Sequence, residues 1–172
     1  MNEIHGERIY LRTHEMRDKE IVLAGAHEPV GAKLTGTHGT FTIEQIEAYI
    51  ERNQTEEDRY AWVICLADDT VIGEVVINEV DRDNNSGSIR IALFNEKYFG
   101  QGYGTEAMQL AIAYGFEQAK LHRISLGVYA FNPRAIHVYE KVGFTLEGTL
   151  RDTLLWEGEY HNEYIMSILA TD

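Results

Sequence analysis

Residues 89–116, IRIALFNEKYFGQGYGTEAMQLAIAYGF, change their hydrophobic period at a run of alternating glycines. Before the glycines, apolar and other residues alternate over residues 89–93, which predicts a β-strand. After them, apolar residues recur with the spacing of one helix face, which predicts a helix starting near Thr105. Thr105 and Glu106 would supply a capping hydroxyl and an acid at that start. The stretch therefore predicts a strand, a glycine loop and a helix.

The glycine loop contains Gly100, Gly102 and Gly104 at every second position. Glycine lets backbone N–H groups approach a ligand closely, and free amides at a helix start attract phosphate. The loop is thus either a phosphate site or a flexible connector. It is not a Walker loop, because Thr105 and Glu106 stand where Lys and Ser or Thr would follow. It is not a dinucleotide fingerprint either, because the strand about 20 residues later, at 123–126, has no acid.

Length and charge limit the classes of function. At 172 residues the chain is expected to form one domain, and its 44% hydrophobic residues suit a globular protein. A net charge of −13 argues against nucleic acid and anionic membranes as partners and favours cationic substrates. A polyanionic cofactor would therefore need backbone amides and a few local cations at its site.

Other features point to a cytoplasmic protein without a metal. The opening MNEIHGERIYLR has no apolar region of a secretory signal, and no apolar run is long enough to span a membrane. The single cysteine, Cys65, lies in an apolar run and is interpreted as a core thiol. The seven histidines show no spacing typical of metal ligands, so no metal site is predicted.

The chain as a whole predicts an α+β fold. Thr42 and Gln45 form a capping box, and Asn132 with Pro133 is typical of a helix start. A mobile loop is predicted at 26–41. Predicted helices cover 15–25, 42–56, 105–116 and 132–143, and predicted strands cover 8–12, 60–66, 71–80, 89–94, 123–131, 144–156 and 160–169. The strands at 89–94 and 123–131 should be parallel, joined through the glycine-loop helix.

Two segments, IALFNEKYFGQGYGTEA (91–107) and YAFNPRAIHVYEKVGF (129–144), resemble the GNAT superfamily of acetyl-CoA-dependent N-acetyltransferases. The opening ERIYLR and the end LLWEGEYHNEYIMSIL (154–169) are similar to the branch that holds ribosomal-protein N-terminal and spermidine acetyltransferases. The resemblance covers nearly the whole chain. It implies a single domain over 1–172, with a mixed, mostly antiparallel central sheet of about seven strands and about four flanking helices.

The resemblance also implies a binding site for acetyl-CoA. The loop amides should hold the pyrophosphate, and a splay between the strands ending at Phe94 and Phe131 should admit the pantetheine arm. Backbone at Leu93 and Phe94 should bind the thioester carbonyl. Asn132 should contact the pantetheine, and Arg134 should lie near the phosphates. The implied cofactor-binding residues are Leu93, Phe94, Gly100, Gln101, Gly102, Tyr103, Gly104, Thr105, Asn132, Arg134, Ala135 and Tyr139.

The resemblance makes Tyr139 the candidate general acid. The pKa of a tyrosine, about 10, is close enough to that of a thiol, about 8.5, for Tyr139 to protonate a departing thiolate. The alternative is a core aromatic residue beside Ile136. The general base is open, because Ser88 stands where related sequences often have glutamate. Glu79 and Glu74 are candidates, acting directly or through water. The alternative for both is a solvated charge on the strand face, in which case the amine either arrives deprotonated or loses its proton to a chain of water molecules.

The expected function is acetyl transfer from acetyl-CoA to a primary amine. The acceptor is either a polyamine or other small cationic amine, or a protein N-terminus. Two other interpretations are a silent acetyl-CoA sensor and an unrelated nucleotide-binding domain. Dimers are common in the branch of acetyltransferases that the sequence resembles, so a homodimer is a further expectation.

Overall fold

A computed structural model describes residues 1–172. Its strands are Ile4–His5 (β1), Ile9–Arg12 (β2), Tyr60–Leu66 (β3), Val71–Asp81 (β4), Ser86–Leu93 (β5), Arg123–Tyr129 (β6), Thr145–Trp156 (β7) and Glu159–Leu169 (β8). Its helices are Lys19–Ala26 (α1), Pro29–Thr35 (α2), Ile43–Thr55 (α3), Tyr103–Glu117 (α4) and Pro133–Val142 (α5). The predicted α+β fold is confirmed, with β1 and α2 added to the predicted elements.

All eight strands form one sheet in the order β1-β2-β3-β4-β5-β6-β8-β7. The only parallel pair is β5 with β6, as predicted, and α4 lies between them in the chain. Their pairing covers only Ser86–Ser88 against Arg123–Ser125. Beyond that point the two strands separate, so the predicted splay opens toward their C-terminal ends.

The prediction of a mobile loop over 26–41 was wrong for residues 29–35, which form α2. Glu28 caps this helix by accepting hydrogen bonds from the N–H groups of Val30 and Gly31, at 3.2 and 2.6 Å. Pro29 occupies the first turn, and Gly36 ends the helix with a φ of 66°. The cap, the proline and the glycine are all present in the sequence, but the small residues between them gave no helical pattern of apolar residues.

The predicted caps of α3 and α5 are confirmed. Thr42 and Gln45 form the capping box of α3, and Asn132 caps α5 ahead of Pro133. The start of α4 differs, because its N-cap is Gly102 with a φ of 84° and not Thr105. Thr105 therefore lies inside the first turn of α4.

Apolar residues fill both faces of the sheet. On one face α4 packs on a large cluster that includes Trp62, Met108 and Ile124. On the other face α1 and α3 cover a smaller cluster of Val22, Ile46, Ile50 and Phe94. Cys65 is fully buried, as predicted. None of the helices has the length and apolar character needed to cross a membrane.

Candidate active site

A cavity of about 790 Å³ occupies the splay between β5 and β6 and reaches both faces of the sheet. Ile89 belongs to the α4-side cluster, so Ile91 and Leu93 share that face, while Arg90 and Ala92 point to the α1–α3 face. Both sets line the cavity. Two ligands that enter from opposite faces can therefore meet between the strands.

The wall on the α4 side is the glycine loop. Gly100 and Gly102 have positive φ values of 71° and 84°, which explains why glycine stands at both positions. No side chain caps α4, and its first backbone hydrogen bond runs from the Glu106 N–H to the Gly102 carbonyl at 3.1 Å. The amides of residues 103–105 therefore have no partner within the helix and are available to an anion.

Two arginines flank this loop and supply the local cations that an anionic ligand needs in so acidic a chain. The Arg8 guanidinium lies 4.7 Å from the Tyr103 ring centroid, and its Nη2 is 2.8 Å from where a Cβ on Gly102 would lie. The Arg134 guanidinium lies 5.6 Å from the Phe99 ring centroid. Arg134 was predicted at this site. Arg8 was missed, because nothing in the sequence connects the first strand to the loop.

The predicted cofactor-binding residues converge on the cavity with one exception. Gln101 does not line it, and its side-chain amide donates a hydrogen bond to the Lys97 carbonyl at 2.7 Å. The Asn132 Oδ1 accepts from the Ala135 N–H at 3.2 Å, which leaves its NH₂ group for another partner. The lining residues from the prediction are Leu93, Phe94, Gly100, Gly102, Tyr103, Gly104, Thr105, Asn132, Arg134, Ala135 and Tyr139.

The backbone at the end of β5 distinguishes Leu93 from Phe94. The Phe94 N–H already donates to the Ile72 carbonyl on β4 at 2.8 Å. Successive N–H groups of a strand point to opposite neighbours, so the Leu93 N–H points away from β4, toward the cavity. Leu93 is therefore the residue whose amide can donate to a ligand in the splay.

Tyr139 on α5 lies at the cavity wall, beside Phe144, with 6.0 Å between the ring centroids. Its side chain is half-buried, and burial raises the pKa of Tyr139 to about 12. The phenol therefore stays protonated through the neutral range and can donate a hydrogen bond or a proton, but its raised pKa makes it a weaker acid toward a thiolate than an ordinary tyrosine.

On the α1–α3 face, the carboxylate of Glu74 is enclosed by three hydrogen bonds. His14 Nε2 lies 2.8 Å from Glu74 Oε2. The Tyr49 hydroxyl and Arg90 Nη1 both donate to Glu74 Oε1, at 3.0 and 3.1 Å. The Arg90 guanidinium also contacts the Tyr49 hydroxyl. Burial disfavours the charge of Glu74, but the His14 hydrogen bond and the Arg90 charge outweigh it and lower its pKa to about 2.

The two candidate bases lie in different places. Glu79 is exposed at a bulge of β4, with a φ of 51°, and does not line the cavity. Glu74 lines the cavity, but a carboxylate of such low pKa accepts a proton poorly. Ser88 lies in the paired part of β5 and β6 and is not a lining residue. The structure therefore brings neither predicted base to the cavity in a basic form.

Sequence reasoning missed a second carboxylate of the cavity, that of Glu163 on β8. Glu163 is half-buried and forms no ion pair, and it pairs in register with Tyr129 of β6. A Cβ on Gly127 would lie 3.0 Å from the Glu163 carboxyl carbon, so the missing side chain at Gly127 makes room for it. No local motif marks Glu163, because only the β6–β8 pairing brings it to the site.

The chain matches a family model described as an acetyltransferase (GNAT) domain over residues 8–145. The spermidine N(1)-acetyltransferase of Escherichia coli (strain K12) is 31% identical over 126 residues, which cover 73% of this chain and 66% of that protein. The "Probable N-acetyltransferase YjcK" of Bacillus subtilis (strain 168) is 28% identical over 177 residues, covering 98% of each chain.

Solved structures share the whole fold. A GNAT-family acetyltransferase from Bacillus anthracis superposes with a TM-score of 0.85 at 27% identity, covering 99% of this chain and 100% of that one. A spermidine N-acetyltransferase from Vibrio cholerae, solved with CoA and spermine, has a TM-score of 0.90 at 23% identity, covering 96% and 98%. Together with the family model over residues 8–145, these likenesses establish that the chain belongs to the GNAT family of N-acetyltransferases.

Proposed function

We propose that residues 1–172 form one catalytic domain that transfers the acetyl group of acetyl-CoA to a primary amine. The observation that carries the proposal is the cavity through the β5–β6 splay. One face of the cavity presents free amides and cations, and the other presents the unpaired carboxylate of Glu163 beside the ion pair of Glu74 and Arg90. An anionic cofactor and a cationic acceptor can thus approach the same point from opposite sides.

Acetyl-CoA would bind on the α4 side. The amides of residues 103–105, flanked by Arg8 and Arg134, fit the pyrophosphate. The pantetheine arm would pass between β5 and β6, where the unpaired strand edges and the free NH₂ group of Asn132 can bind its amides. The Vibrio cholerae enzyme of the same fold was solved with CoA, which supports this assignment.

In the proposed reaction the neutral amine attacks the thioester carbonyl carbon, forming a C–N bond. The Leu93 N–H stabilises the negative charge that develops on the carbonyl oxygen. The C–S bond then breaks, and the departing thiolate takes a proton from the Tyr139 hydroxyl. The new ammonium loses its proton to water, and Tyr139 regains one from solvent. Glu79 has no part in this scheme, and Glu74 acts as a structural anion.

The acceptor is proposed to be a small cationic amine, with a protein N-terminus as the other candidate. The acidic chain and the unpaired carboxylate of Glu163 on the α1–α3 face favour a positively charged ligand. The relatives named as spermidine acetyltransferases support the small amine.

The test is thiol release from acetyl-CoA with a panel of amines. The panel holds spermidine, spermine, diamines, an aminoglycoside, and peptides beginning with Ala, Ser or Met. Saturable release of CoA thiol, with the acetylated amine identified by mass spectrometry, is the expected result. Acetyl-CoA that stabilises the fold against heat without acetylating any amine would contradict the proposal and indicate a sensor.

A further inference from the structure

The charged groups that line the cavity are four: Glu74, Arg90, Arg134 and Glu163. Arg134 of α5 flanks the glycine loop, on the cofactor side. Glu74 and Arg90 neutralise each other across 3.1 Å. Glu163 forms no salt bridge, so it is the one uncompensated charge on the acceptor side.

No Lys, Arg or His nitrogen lies within 4 Å of the Glu163 carboxylate oxygens. Lys33 of α2, whose Nζ lies 5.6 Å from the Phe131 ring centroid, forms no salt bridge. The neighbouring Tyr129 is a neutral phenol, and burial, followed by the charge of Glu163, raises its pKa. A half-buried carboxylate without a partner is costly unless a ligand supplies the missing charge.

The charge of this carboxylate also determines which nitrogen of an acceptor it can bind without hindering the reaction. An amine must be neutral to attack the thioester, and a carboxylate beside it would favour its protonated form. A fixed anion therefore assists a bound acceptor by holding a different nitrogen, one that keeps its proton. Such an acceptor carries at least two amino groups.

We propose that Glu163 binds a second, charged ammonium of the acceptor and so selects diamines and polyamines over monoamines. This inference rests on the proposed acetyl transfer at the same cavity and adds the residue that distinguishes one class of amine from another. Glu163 is a specificity residue in this scheme, and the chemical step depends on Leu93 and Tyr139.

The test compares α,ω-diamines with 1-aminoalkanes of equal chain length, using acetyl-CoA as donor. The two series share the reacting nitrogen and differ in the second charge. In Glu163→Gln, which keeps the shape of the side chain, kcat/KM for the diamines should fall about 10- to 100-fold through KM, since a hydrogen bond to a charged group is lost. The values for the monoamines should change less than about twofold, and Glu163→Asp should retain part of the preference.

The matched control is Glu159→Gln, which removes the same charge from the same strand at an exposed position outside the cavity. It should leave the ratio of diamine to monoamine kcat/KM unchanged. An equal loss for both series in Glu163→Gln would indicate a packing role and overturn the inference.

A binding measurement separates this inference from the proposed function. Calorimetry of butane-1,4-diamine and longer diamines with the CoA-bound protein should show binding that Glu163→Gln weakens and Glu159→Gln keeps. If the protein acetylates only peptide N-termini and binds no diamine, the inference is wrong and the acetyltransferase remains. If acetyl-CoA itself does not bind, the proposed function is wrong. In that case, diamine binding that depends on Glu163 would support Glu163 as a binding site for an ammonium group, but not acetyl transfer.

Discussion

His14 Nε2 lies 2.8 Å from Glu74 Oε2, and both side chains are almost fully buried. An ionised carboxylate only accepts hydrogen bonds, so the His14 Nε2–H donates to Glu74, and the buried Nδ1 has no hydrogen-bond partner. The pair ties the segment after β2 to the centre of β4. Three hydrogen bonds therefore fix Glu74 in the cavity wall, where a carboxylate of such low pKa is a poor base.

Replacing Glu74 by Gln should destabilise the fold. The carboxylate has a pKa of about 2 in the fold, below its ordinary value of 4.5, so its contribution is fully present above pH 4.5 and is lost as the pH falls toward 2. A shift of this size corresponds to roughly 3 kcal/mol at neutral pH. Urea unfolding of both proteins from pH 7 to pH 3 should show a gap that narrows below pH 4.5.

The control for this prediction is Glu51→Gln, at an exposed position of α3. Its unfolding free energy should match that of the parent chain within about 0.5 kcal/mol at every pH. A Glu74→Gln protein as stable as the parent at pH 7 would show that the three hydrogen bonds merely offset the burial of the charge.

Replacing Tyr139 by Phe should remove the proton donor while keeping the ring. We expect kcat to fall about 10²- to 10⁴-fold, with the KM for acetyl-CoA nearly unchanged. Because the pKa of Tyr139 is raised to about 12, its ionisation should not cause a loss of activity below pH 10. Steady-state kinetics from pH 6 to pH 10 measure both effects.

Tyr160→Phe is the matched control, because Tyr160 is an exposed tyrosine at the start of β8. Its kinetics should equal those of the parent chain. Full activity in Tyr139→Phe would exclude Tyr139 as the acid and leave water as the proton source.

Local signals allowed most of the fold to be predicted. Alternation marked the strands, and the pairs Thr42 with Gln45 and Asn132 with Pro133 marked two helix starts. Helix α2 was missed because a short helix with several small residues has a weak period. The start of α4 was misplaced because a left-handed Gly102, and not a side chain, ends the loop.

The acceptor side of the site could not be predicted in the same way. His14, Tyr49, Glu74 and Arg90 come from four separate segments, and the pairing of β4 with β5 together with the packing of α3 against the sheet brings them together. Glu163 enters through the pairing of β8 with β6. The residues proposed for the cofactor side could be identified in the sequence because they lie in two continuous motifs, and Arg8 is the exception.

Placing a charged side chain at Gly102 should abolish acetyl-CoA binding. In Gly102→Asp, the new Cβ would lie only 2.8 Å from Arg8 Nη2, and a non-glycine residue would have to adopt a φ of 84°. The substitution also places an anion beside the amides proposed to bind phosphate. We expect a loss of acetyl-CoA affinity of at least 100-fold, measured by calorimetry.

Gly148→Asp on β7 introduces the same residue where no atom lies within 4 Å of the new Cβ and φ is not positive. It should bind acetyl-CoA as the parent chain does. Equal affinity in both variants would place the cofactor away from the glycine loop.

Replacing Arg8 by Ala should identify the phosphate that this side chain contacts. The change removes the Arg8 Nε–Glu106 Oε2 ion pair of 3.6 Å, but the backbone N–H groups of Arg8 and Ile9 still donate to Glu106 at 3.0 and 3.4 Å, so β2 should stay attached to α4. We expect acetyl-CoA affinity to fall roughly tenfold, equal to 1.4 kcal/mol, and the loss to shrink at high salt. Arg151→Ala, at an exposed position of β7 outside the cavity, should have no effect.

Acetyl-dephospho-CoA, which lacks the 3′-phosphate but keeps the pyrophosphate, locates the contact. Since Arg8 lies against Gly102 and Tyr103 at the start of α4, we expect it to contact the pyrophosphate. Arg8→Ala should then weaken both ligands by the same factor. A loss confined to acetyl-CoA would instead assign Arg8 to the 3′-phosphate and leave the pyrophosphate to the loop amides and Arg134.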